Sequence, residues 1–130
     1  MAHSVFAMSD KPVVEPHLGP APHELIIEEI IVGQGATATS GATAIVHYVG
    51  VSASTGEQFD ASWDRDETFS FPLGAGHVIA GWDQGVQGMR VGGRRRLVIP
   101  AHLGYGQSGA GGVIAPGETL IFVVDLVEVR

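Results

Sequence analysis

The last strand of the chain reads Thr119-Leu120-Ile121-Phe122-Val123-Val124-Asp125-Leu126-Val127-Glu128-Val129, and this stretch decides the fold class. Most of its residues are β-branched or aromatic, and these types favour extended backbone. Every second residue is apolar, so one face of the strand carries Leu120, Phe122, Val124 and Leu126. We therefore predict a strand that turns this apolar face towards the core.

Shorter strands are predicted upstream of this stretch, separated by glycine-containing turns. They cover residues 25–32, 43–49, 58–59, 68–71 and 94–99. In the second of them Ala44, Val46 and Tyr48 share one face. The turn before the third strand is Ser54-Thr55-Gly56-Glu57. Strands joined in this way predict an antiparallel sheet.

One segment, residues 77–86, has a convincing helical pattern. Its apolar residues fall at i, i+1, i+4 and i+8 and form one stripe: Val78, Ile79, Trp82 and Val86. The helix contains Gly81 and Gly85, each of which costs about 1 kcal/mol relative to alanine. Because such a short helix is unstable alone, it has to pack on the sheet. The predicted fold class is α+β, with one short helix on the concave face of an antiparallel sheet.

The N-terminal residues 1–22 differ in composition from the rest of the chain. They contain four of the seven prolines and few bulky apolar side chains, which predicts a flexible, proline-rich tail. Met8-Ser9-Asp10 is typical of a natural start, so residues 1–7 are interpreted as an added leader. Residues 23–130 are then a single domain.

Composition excludes several classes of function. The net charge of −7 repels phosphate backbones, so we expect no nucleic-acid partner. No apolar run approaches the roughly 18–20 residues of a membrane helix, so we expect no membrane partner. The chain has no cysteine, which rules out disulfides and thiolate chemistry and fits a reducing, cytoplasmic compartment. The basic cluster Arg94-Arg95-Arg96 leaves two interpretations open, a local anion site or a solvated strand face.

Motifs for metal, nucleotide or nucleophile chemistry are missing from the sequence. No Gly-Lys-Ser/Thr is present, and Gly74-Ala75-Gly76-His77-Val78-Ile79 lacks the last glycine of a dinucleotide loop. No two histidines have metal-ligand spacing on one helix; they are His3, His17, His23, His47, His77 and His102. We expect neither a metal nor a cofactor.

A set of aromatic residues remains where the sheet and the helix would meet. It comprises Tyr48, Phe59, Phe69, Phe71, Trp82, Tyr105 and Phe122. These side chains could simply fill a core, and Phe71 is assigned to the core. A binding site is favoured by Asp60, a carboxylate directly after Phe59, and by the position of Tyr105 in a glycine-rich loop.

Seven segments of the sequence follow one another in the order of a known family. They are Val46-His47-Tyr48-Val49-Gly50, Gly56-Glu57-Gln58-Phe59-Asp60-Ala61-Ser62, Phe69-Ser70-Phe71-Pro72-Leu73-Gly74, Val78-Ile79-Ala80-Gly81-Trp82-Asp83-Gln84-Gly85-Val86, Gly92-Gly93-Arg94-Arg95-Arg96-Leu97-Val98-Ile99-Pro100, Leu103-Gly104-Tyr105-Gly106 and Thr119-Leu120-Ile121-Phe122-Val123-Val124-Asp125-Leu126. Residues 23–130 thereby resemble the FKBP-type peptidyl-prolyl cis–trans isomerases. The resemblance implies a twisted antiparallel sheet of about five strands wrapped around one short helix.

The resemblance also implies a pocket and its parts. The walls would be Tyr48, Phe59, Phe69 and Phe122, the floor Trp82, the rim Val78 and Ile79, the polar groups at the mouth Asp60 and Tyr105, and the cover over the prolyl ring Val113 and Ile114. The backbone N–H of Ile79 would donate a hydrogen bond to a bound carbonyl. In this family Tyr48, Asp60, Trp82, Tyr105 and Phe122 would carry catalysis, and the other six would bind substrate.

The activity implied by the resemblance is rotation of X–Pro peptide bonds without any covalent step. The partners would be prolyl peptides, unfolded or nascent polypeptides, and macrolides such as tacrolimus and rapamycin. The protein would act as a cytoplasmic monomer that assists protein folding. Two alternatives stay open: a module that binds prolyl peptides or macrolides with incidental isomerase activity, and a structural domain whose aromatic core is filled.

Overall fold

A computed structural model describes residues 10–130 and shows that they form a sheet with one short α-helix. The strands are β1 (Ile26–Ile31), β2 (Thr43–Ser52), β3 (Gln58–Ala61), β4 (Phe69–Pro72), β5 (Arg94–Ile99) and β6 (Leu120–Val129). The helix α1 spans Ala80–Gly85, and two 3₁₀ helices span Ser62–Arg65 and Ala101–Leu103. The predicted α+β class is confirmed. The predicted leader, residues 1–7, lies outside the described residues.

The sheet is antiparallel, with strand order β1-β5-β6-β2-β3, and β4 also pairs with β2. Its centre is the long pair β2–β6, which runs from Ala44 opposite Val129 to Ser52 opposite Leu120. The other edge of β2 is shared, because β4 pairs with its first half and β3 with its second half. In the part of the chain that the structure describes, no helix is long and apolar enough to cross a membrane.

Alternation along β6 gives the sheet two different faces. On the side that carries α1, called here the helix face, β6 buries the four residues expected there, Leu120, Phe122, Val124 and Leu126. On the opposite side, called the outer face, lie the side chains of Val123 and Asp125, which are 0% and 1% exposed. The predicted apolar face is therefore confirmed, but its reverse side is also buried.

The helix is shorter than the predicted segment 77–86. It begins at Ala80, because Ile79 has a ψ angle of 148° and is extended. The residues before it form a turn that the Asp83 carboxylate holds through the backbone N–H groups of Gly74 and Gly76, at 2.8 and 2.9 Å. The segment before Ala80 therefore serves as a rim beside the helix rather than as its first turn.

The two helix glycines allow a close approach to β5. A Cβ atom added at Gly81 would lie 2.6 Å from Ile99 Cγ2, and one added at Gly85 would lie 2.8 Å from Leu97 Cδ1. Both distances are below van der Waals contact, so larger residues would push the helix off the sheet. This packing offsets the low helix propensity of the two glycines.

The basic cluster is neither a solvated strand face nor an open anion site. All three arginines are less than one tenth exposed, and each is paired: Arg94 with Asp125 (2.6 Å), Arg95 with Glu29 (2.9 Å) and Arg96 with Glu28 (2.8 Å). Because the partners lie on β6 and β1, local sequence does not reveal them. The cluster ties neighbouring strands of the sheet together.

The described part of the predicted tail, residues 10–22, contacts the outer face of the sheet. Its backbone carbonyls accept four hydrogen bonds from two arginines of β5. Arg94 donates to Asp10 (3.0 Å), and Arg96 donates twice to Glu15 (2.9 and 3.2 Å) and once to Pro16 (2.9 Å). Val14 packs on a small apolar cluster formed by Val51, Val98 and Ile121. The boundary at residue 23 stays a prediction, and these contacts give it a direct test.

Candidate functional site

A cleft of about 550 Å³ opens on the helix face of the sheet. Strands β2, β3, β4 and β6, the segment that leads into α1, and the loop after β5 all contribute to it. It is lined by Tyr48, Phe59, Asp60, Phe69, Gly76, His77, Val78, Ile79, Trp82, Tyr105 and Phe122. The walls are mainly aromatic, and the polar side chains stand at the mouth.

Trp82 lies at the bottom of this cleft and contacts four other rings. The distances from its ring centroid are 5.0 Å to Tyr48, 5.3 Å to Phe122, 5.5 Å to Phe71 and 6.0 Å to Phe69. Most of these pairs meet edge to face, which is a favourable geometry for aromatic quadrupoles. Trp82 is only 4% exposed, so its orientation is set by packing on almost every side.

A missing side chain on β2 makes room for one wall of the cleft. A Cβ atom added at Gly50 would lie 2.6 Å from Phe122 Cε1 and 2.7 Å from Phe59 Cζ. The two phenylalanine rings lie 5.5 Å apart and meet edge to face directly over this glycine. Gly50 is therefore part of the shape of the cleft, although it contributes no side chain.

Three polar side chains form a closed hydrogen-bond triangle at the mouth. The Tyr48 hydroxyl donates to Asp60 Oδ2 at 2.6 Å, and Arg65 Nη1 donates to Asp60 Oδ1 at 2.6 Å. Arg65 Nη2 donates to the Tyr48 hydroxyl oxygen at 2.9 Å. Both carboxylate oxygens of Asp60 therefore accept a hydrogen bond, and the carboxylate fixes the positions of the Tyr48 and Arg65 side chains.

Sequence reasoning missed Arg65. The only available signal was a cation five residues after Asp60, at a spacing that has no meaning in a strand. The 3₁₀ helix Ser62–Arg65 turns the chain back over the mouth and supplies the missing geometry.

Burial and the hydrogen bonds at the mouth shift the pKa values of both partners of Arg65. Burial alone would raise the pKa of Asp60, but the hydrogen bonds from Tyr48 and Arg65 and the guanidinium charge hold it below the usual value. Burial and the hydrogen bond to Asp60 raise the pKa of the Tyr48 phenol. Around neutral pH, Asp60 is therefore ionised and Tyr48 is protonated, and neither is suited to act as a general base.

The rim of the cleft offers a backbone donor at Ile79. Within residues 10–130, no acceptor is found for the N–H of Ile79, which precedes the first turn of α1. This N–H belongs to a residue that lines the cleft together with Val78 and Trp82. A carbonyl oxygen bound in the cleft can accept a hydrogen bond from it.

Nine of the eleven residues predicted for the site line the cleft, and Val113 and Ile114 do not. Their segment closes a tight turn, in which Ala110 and Ile114 exchange backbone hydrogen bonds of 2.9 and 3.0 Å. Ile114 is 5% exposed and packs into the core, whereas Val113 is 61% exposed. The sequence could not show this division because it depends on the conformation of a glycine-rich loop. Gly76 and His77, which line the cleft, were not predicted.

The groups that line this cleft are mainly aromatic and aliphatic side chains. Its lining contains no serine or cysteine nucleophile, and its one carboxylate is engaged by Tyr48 and Arg65. Among the described residues, no group of three or more histidine, cysteine or acidic side chains is placed to hold a metal ion. The cleft provides apolar walls, a backbone donor at Ile79 and a fixed polar edge.

Comparisons with known proteins agree with this geometry. A family model described as FKBP-type peptidyl-prolyl cis-trans isomerase matches residues 34–127. An FK506-binding protein of Streptomyces anulatus is 63% identical over 121 residues, covering 92% of this chain and 98% of the relative. A probable FK506-binding protein of Corynebacterium glutamicum is 52% identical over 119 residues, with the same two coverages. The crystal structure of AtFKBP13 superimposes with a TM-score of 0.76 at 36% identity, covering 85% of this chain and 96% of that one.

Proposed function

This chain belongs to the FKBP-type peptidyl-prolyl cis–trans isomerase family, and from that premise we propose that its aromatic cleft is where the X–Pro bond rotates. The observation that carries the proposal is the set of edge-to-face aromatic side chains around Trp82 that line the cleft. Proline-containing peptides are the substrates that follow from family membership. A prolyl ring is compact and apolar, and the aromatic walls of the cleft are apolar as well.

The catalytic effect follows from the electronics of the amide. Rotation is slow because amide resonance has to break, at a barrier of about 18–20 kcal/mol. The twisted amide has less charge separation than the planar one, so a dry apolar cleft favours the twisted state. Stabilising it by about 5–6 kcal/mol more than the planar state gives an acceleration of roughly 10⁴-fold. No proton is transferred in this step.

The polar groups of the site then have positioning roles. The Ile79 N–H donates to the substrate carbonyl and fixes which side of the peptide faces Trp82. The triangle of Tyr48, Asp60 and Arg65 holds one wall in place and sets the electric field at the mouth. Tyr105, which is 40% exposed, contributes a hydroxyl from the loop on the other side.

The donor role of Ile79 can be tested with a pair of variants. Ile79 has a φ angle of −59°, which proline also adopts, so Ile79→Pro removes the N–H with little change to its φ. We expect kcat/KM in a protease-coupled prolyl-peptide assay to fall about tenfold or more. Ile79→Val keeps the N–H and is the matched control. Equal activities of the two variants would contradict the role of the donor.

Macrolide binding is the finer part of the proposal. It is supported by relatives that are named for binding FK506, and by a cleft of about 550 Å³ with apolar walls. Tacrolimus and rapamycin should inhibit turnover competitively and quench Trp82 fluorescence. A Trp63→Phe background removes the second indole from the signal and keeps an aromatic ring at that position. Unchanged turnover and fluorescence at saturating ligand would remove macrolides from the proposal.

The alternative is a module whose selected role is to bind prolyl peptides, with isomerisation incidental. The protease-coupled assay separates the two, since a binding module holds the peptide without a comparable rate enhancement. We further propose that the protein works as a cytoplasmic monomer on unfolded or nascent polypeptides. The absence of cysteine supports the reducing compartment. A refolding assay limited by proline isomerisation tests the role in folding.

A further inference from the structure

The outer edge of β2 has a gap in its backbone pairing beside the cleft. Val49 pairs with Ala61 of β3 and Val46 pairs with Phe69 of β4, which leaves His47 and Tyr48 between the two partner strands. A side chain fills this gap. The Tyr48 N–H donates to Ser62 Oγ at 2.7 Å, so a hydroxyl replaces the carbonyl that a neighbouring strand would have offered.

Ser62 is held in turn by His47 from the outer face of the sheet. Ser62 is 0% exposed, and its Oγ lies 2.8 Å from His47 Nδ1. The next residue, Trp63, stacks on the imidazole of His47 with ring centroids 4.2 Å apart and an interplanar angle of 19°. His47 therefore contacts two consecutive residues of the 3₁₀ helix: Ser62 by a hydrogen bond and Trp63 by stacking.

The same 3₁₀ helix ends at Arg65, which donates to Asp60 and to the Tyr48 hydroxyl at the mouth of the cleft. Tyr48 is thus held at its backbone by Ser62 and at its hydroxyl by Asp60 and Arg65. We propose that His47, Ser62 and Trp63 form a positioning unit that fixes Tyr48 and Arg65 for the isomerase reaction. The inference rests on the proposed role of the cleft, although none of the three residues touches it.

The unit depends on the charge state of His47. Ser62 Oγ already accepts the Tyr48 N–H, so its own proton can go to His47 Nδ1 when the imidazole is neutral and carries its proton on Nε2. Protonation of His47 makes Nδ1 a donor, and the Ser62 proton then has only the Tyr48 carbonyl, at 3.4 Å. The neutral imidazole therefore gives the shorter set of hydrogen bonds.

The surroundings keep His47 neutral at physiological pH. Burial lowers the pKa of His47, and the nearby Asp66 carboxylate raises it by a smaller amount. The residue opposite His47 on β6 is Asp125, whose charge is paired with Arg94. Because the pKa lies below the usual value of 6.5, we expect kcat/KM to be nearly constant from about pH 6.5 to 8 and to decline at lower pH.

The test compares two variants of His47 that keep different halves of its contacts. His47→Phe keeps a ring against Trp63 and removes the Nδ1 acceptor; His47→Asn keeps an acceptor near Ser62 and removes the stacking. At pH 7.5, we expect kcat/KM to fall about tenfold in His47→Phe and to recover in large part in His47→Asn. Both variants should lose the decline at low pH, and far-UV circular dichroism should show that both are folded.

Further variants locate the titrating group. Ser62→Ala should reproduce the activity loss of His47→Phe, and His102→Gln, an exposed histidine outside the cleft, should behave as the parent at every pH. The positioning unit is contradicted if the acid decline survives in His47→Phe and disappears in His77→Gln, because His77 lines the cleft itself. It is equally contradicted if His47→Phe and Ser62→Ala match the parent while Phe122→Ala is inactive. A fully active Phe122→Ala would instead contradict the proposed function of the cleft.

Discussion

The two faces of the sheet both bury residues of β6, but the buried side chains differ in chemistry and so do the consequences. On the helix face, Phe122 packs on Trp82 and Phe59 and still borders an open cleft. On the outer face, Asp125 is 1% exposed and forms an ion pair with Arg94. The guanidinium of Arg94 also donates a hydrogen bond to the backbone carbonyl of Asp10. Apolar rings can border a cleft because they need no hydrogen-bond partner. A buried charge has to be surrounded by partners, so the outer face has no comparable freedom.

The comparison predicts that the largest loss of activity comes from the helix face. Phe122→Ala opens a wall of the cleft to water and removes contacts with three rings, so kcat/KM should fall about 100-fold. The matched control is Val123→Ala, one residue along β6 and on the outer face, which should lose stability but keep its activity when folded. Protease-coupled turnover and urea unfolding of both variants measure this. Equal activity losses would show that the two faces are not separate.

The largest loss of stability should come from the outer face. Asp125→Ala leaves the buried Arg94 without its carboxylate, and we expect the free energy of unfolding to fall by about 3–5 kcal/mol. The double variant Arg94→Met with Asp125→Leu removes both charges and should regain most of the loss. Urea unfolding at pH 7 gives the free energies, and turnover below the transition should stay near the parent. If the single variant is as stable as the double variant, the Arg94–Asp125 ion pair does not stabilise the outer face.

Removal of the N-terminal segment should have a smaller effect on the same face. A chain that starts at His23 loses the carbonyls that accept from Arg94 and Arg96, and it exposes the cluster under Val14. We expect a loss of about 1–3 kcal/mol and a Tm lower by roughly 5–10 °C. A chain that starts at Asp10 keeps all these contacts and is the control. Equal Tm values for the two chains would support the flexible tail predicted from the sequence.

The smallest predicted effect concerns Asp60 at the mouth of the cleft. Its pKa is lower in the folded state than in the unfolded one, so its ionisation stabilises the fold above the usual aspartate pKa. This contribution disappears as the pH falls through the lowered pKa. The stability difference between the parent and Asp60→Asn should therefore be largest near pH 7 and should shrink as the pH falls below the usual aspartate pKa of 3.8. Because the carboxylate is partly exposed, we expect a modest effect, together with a loss of kcat/KM of only a few-fold. If Asp60→Asn lost more activity than Phe122→Ala, the polar mouth of the cleft would matter more for catalysis than its aromatic wall.

Local sequence determined the parts of this protein that depend on backbone period and on side-chain type. Alternation identified β6 and its core face, and the aromatic residues that later line the cleft were recognisable as a set. The series of motifs identified the family, which the comparisons confirm. These features could be predicted because successive side chains of a strand point to opposite faces of the sheet. Large aromatic side chains, in addition, are usually buried in the core or in a binding site of a small domain.

The tertiary structure decided which distant groups meet. Arg65 reaches Asp60 and Tyr48 only because a 3₁₀ helix turns the chain back, and Ser62 reaches Tyr48 only because two strands leave a gap along β2. The partners of Arg94 and Arg96 lie on other strands and on the N-terminal segment, more than 30 residues away in sequence. Hydrogen bonds and ion pairs act over a few ångströms in space, whereas a sequence pattern records only neighbours along the chain, so such contacts become visible once the chain is folded.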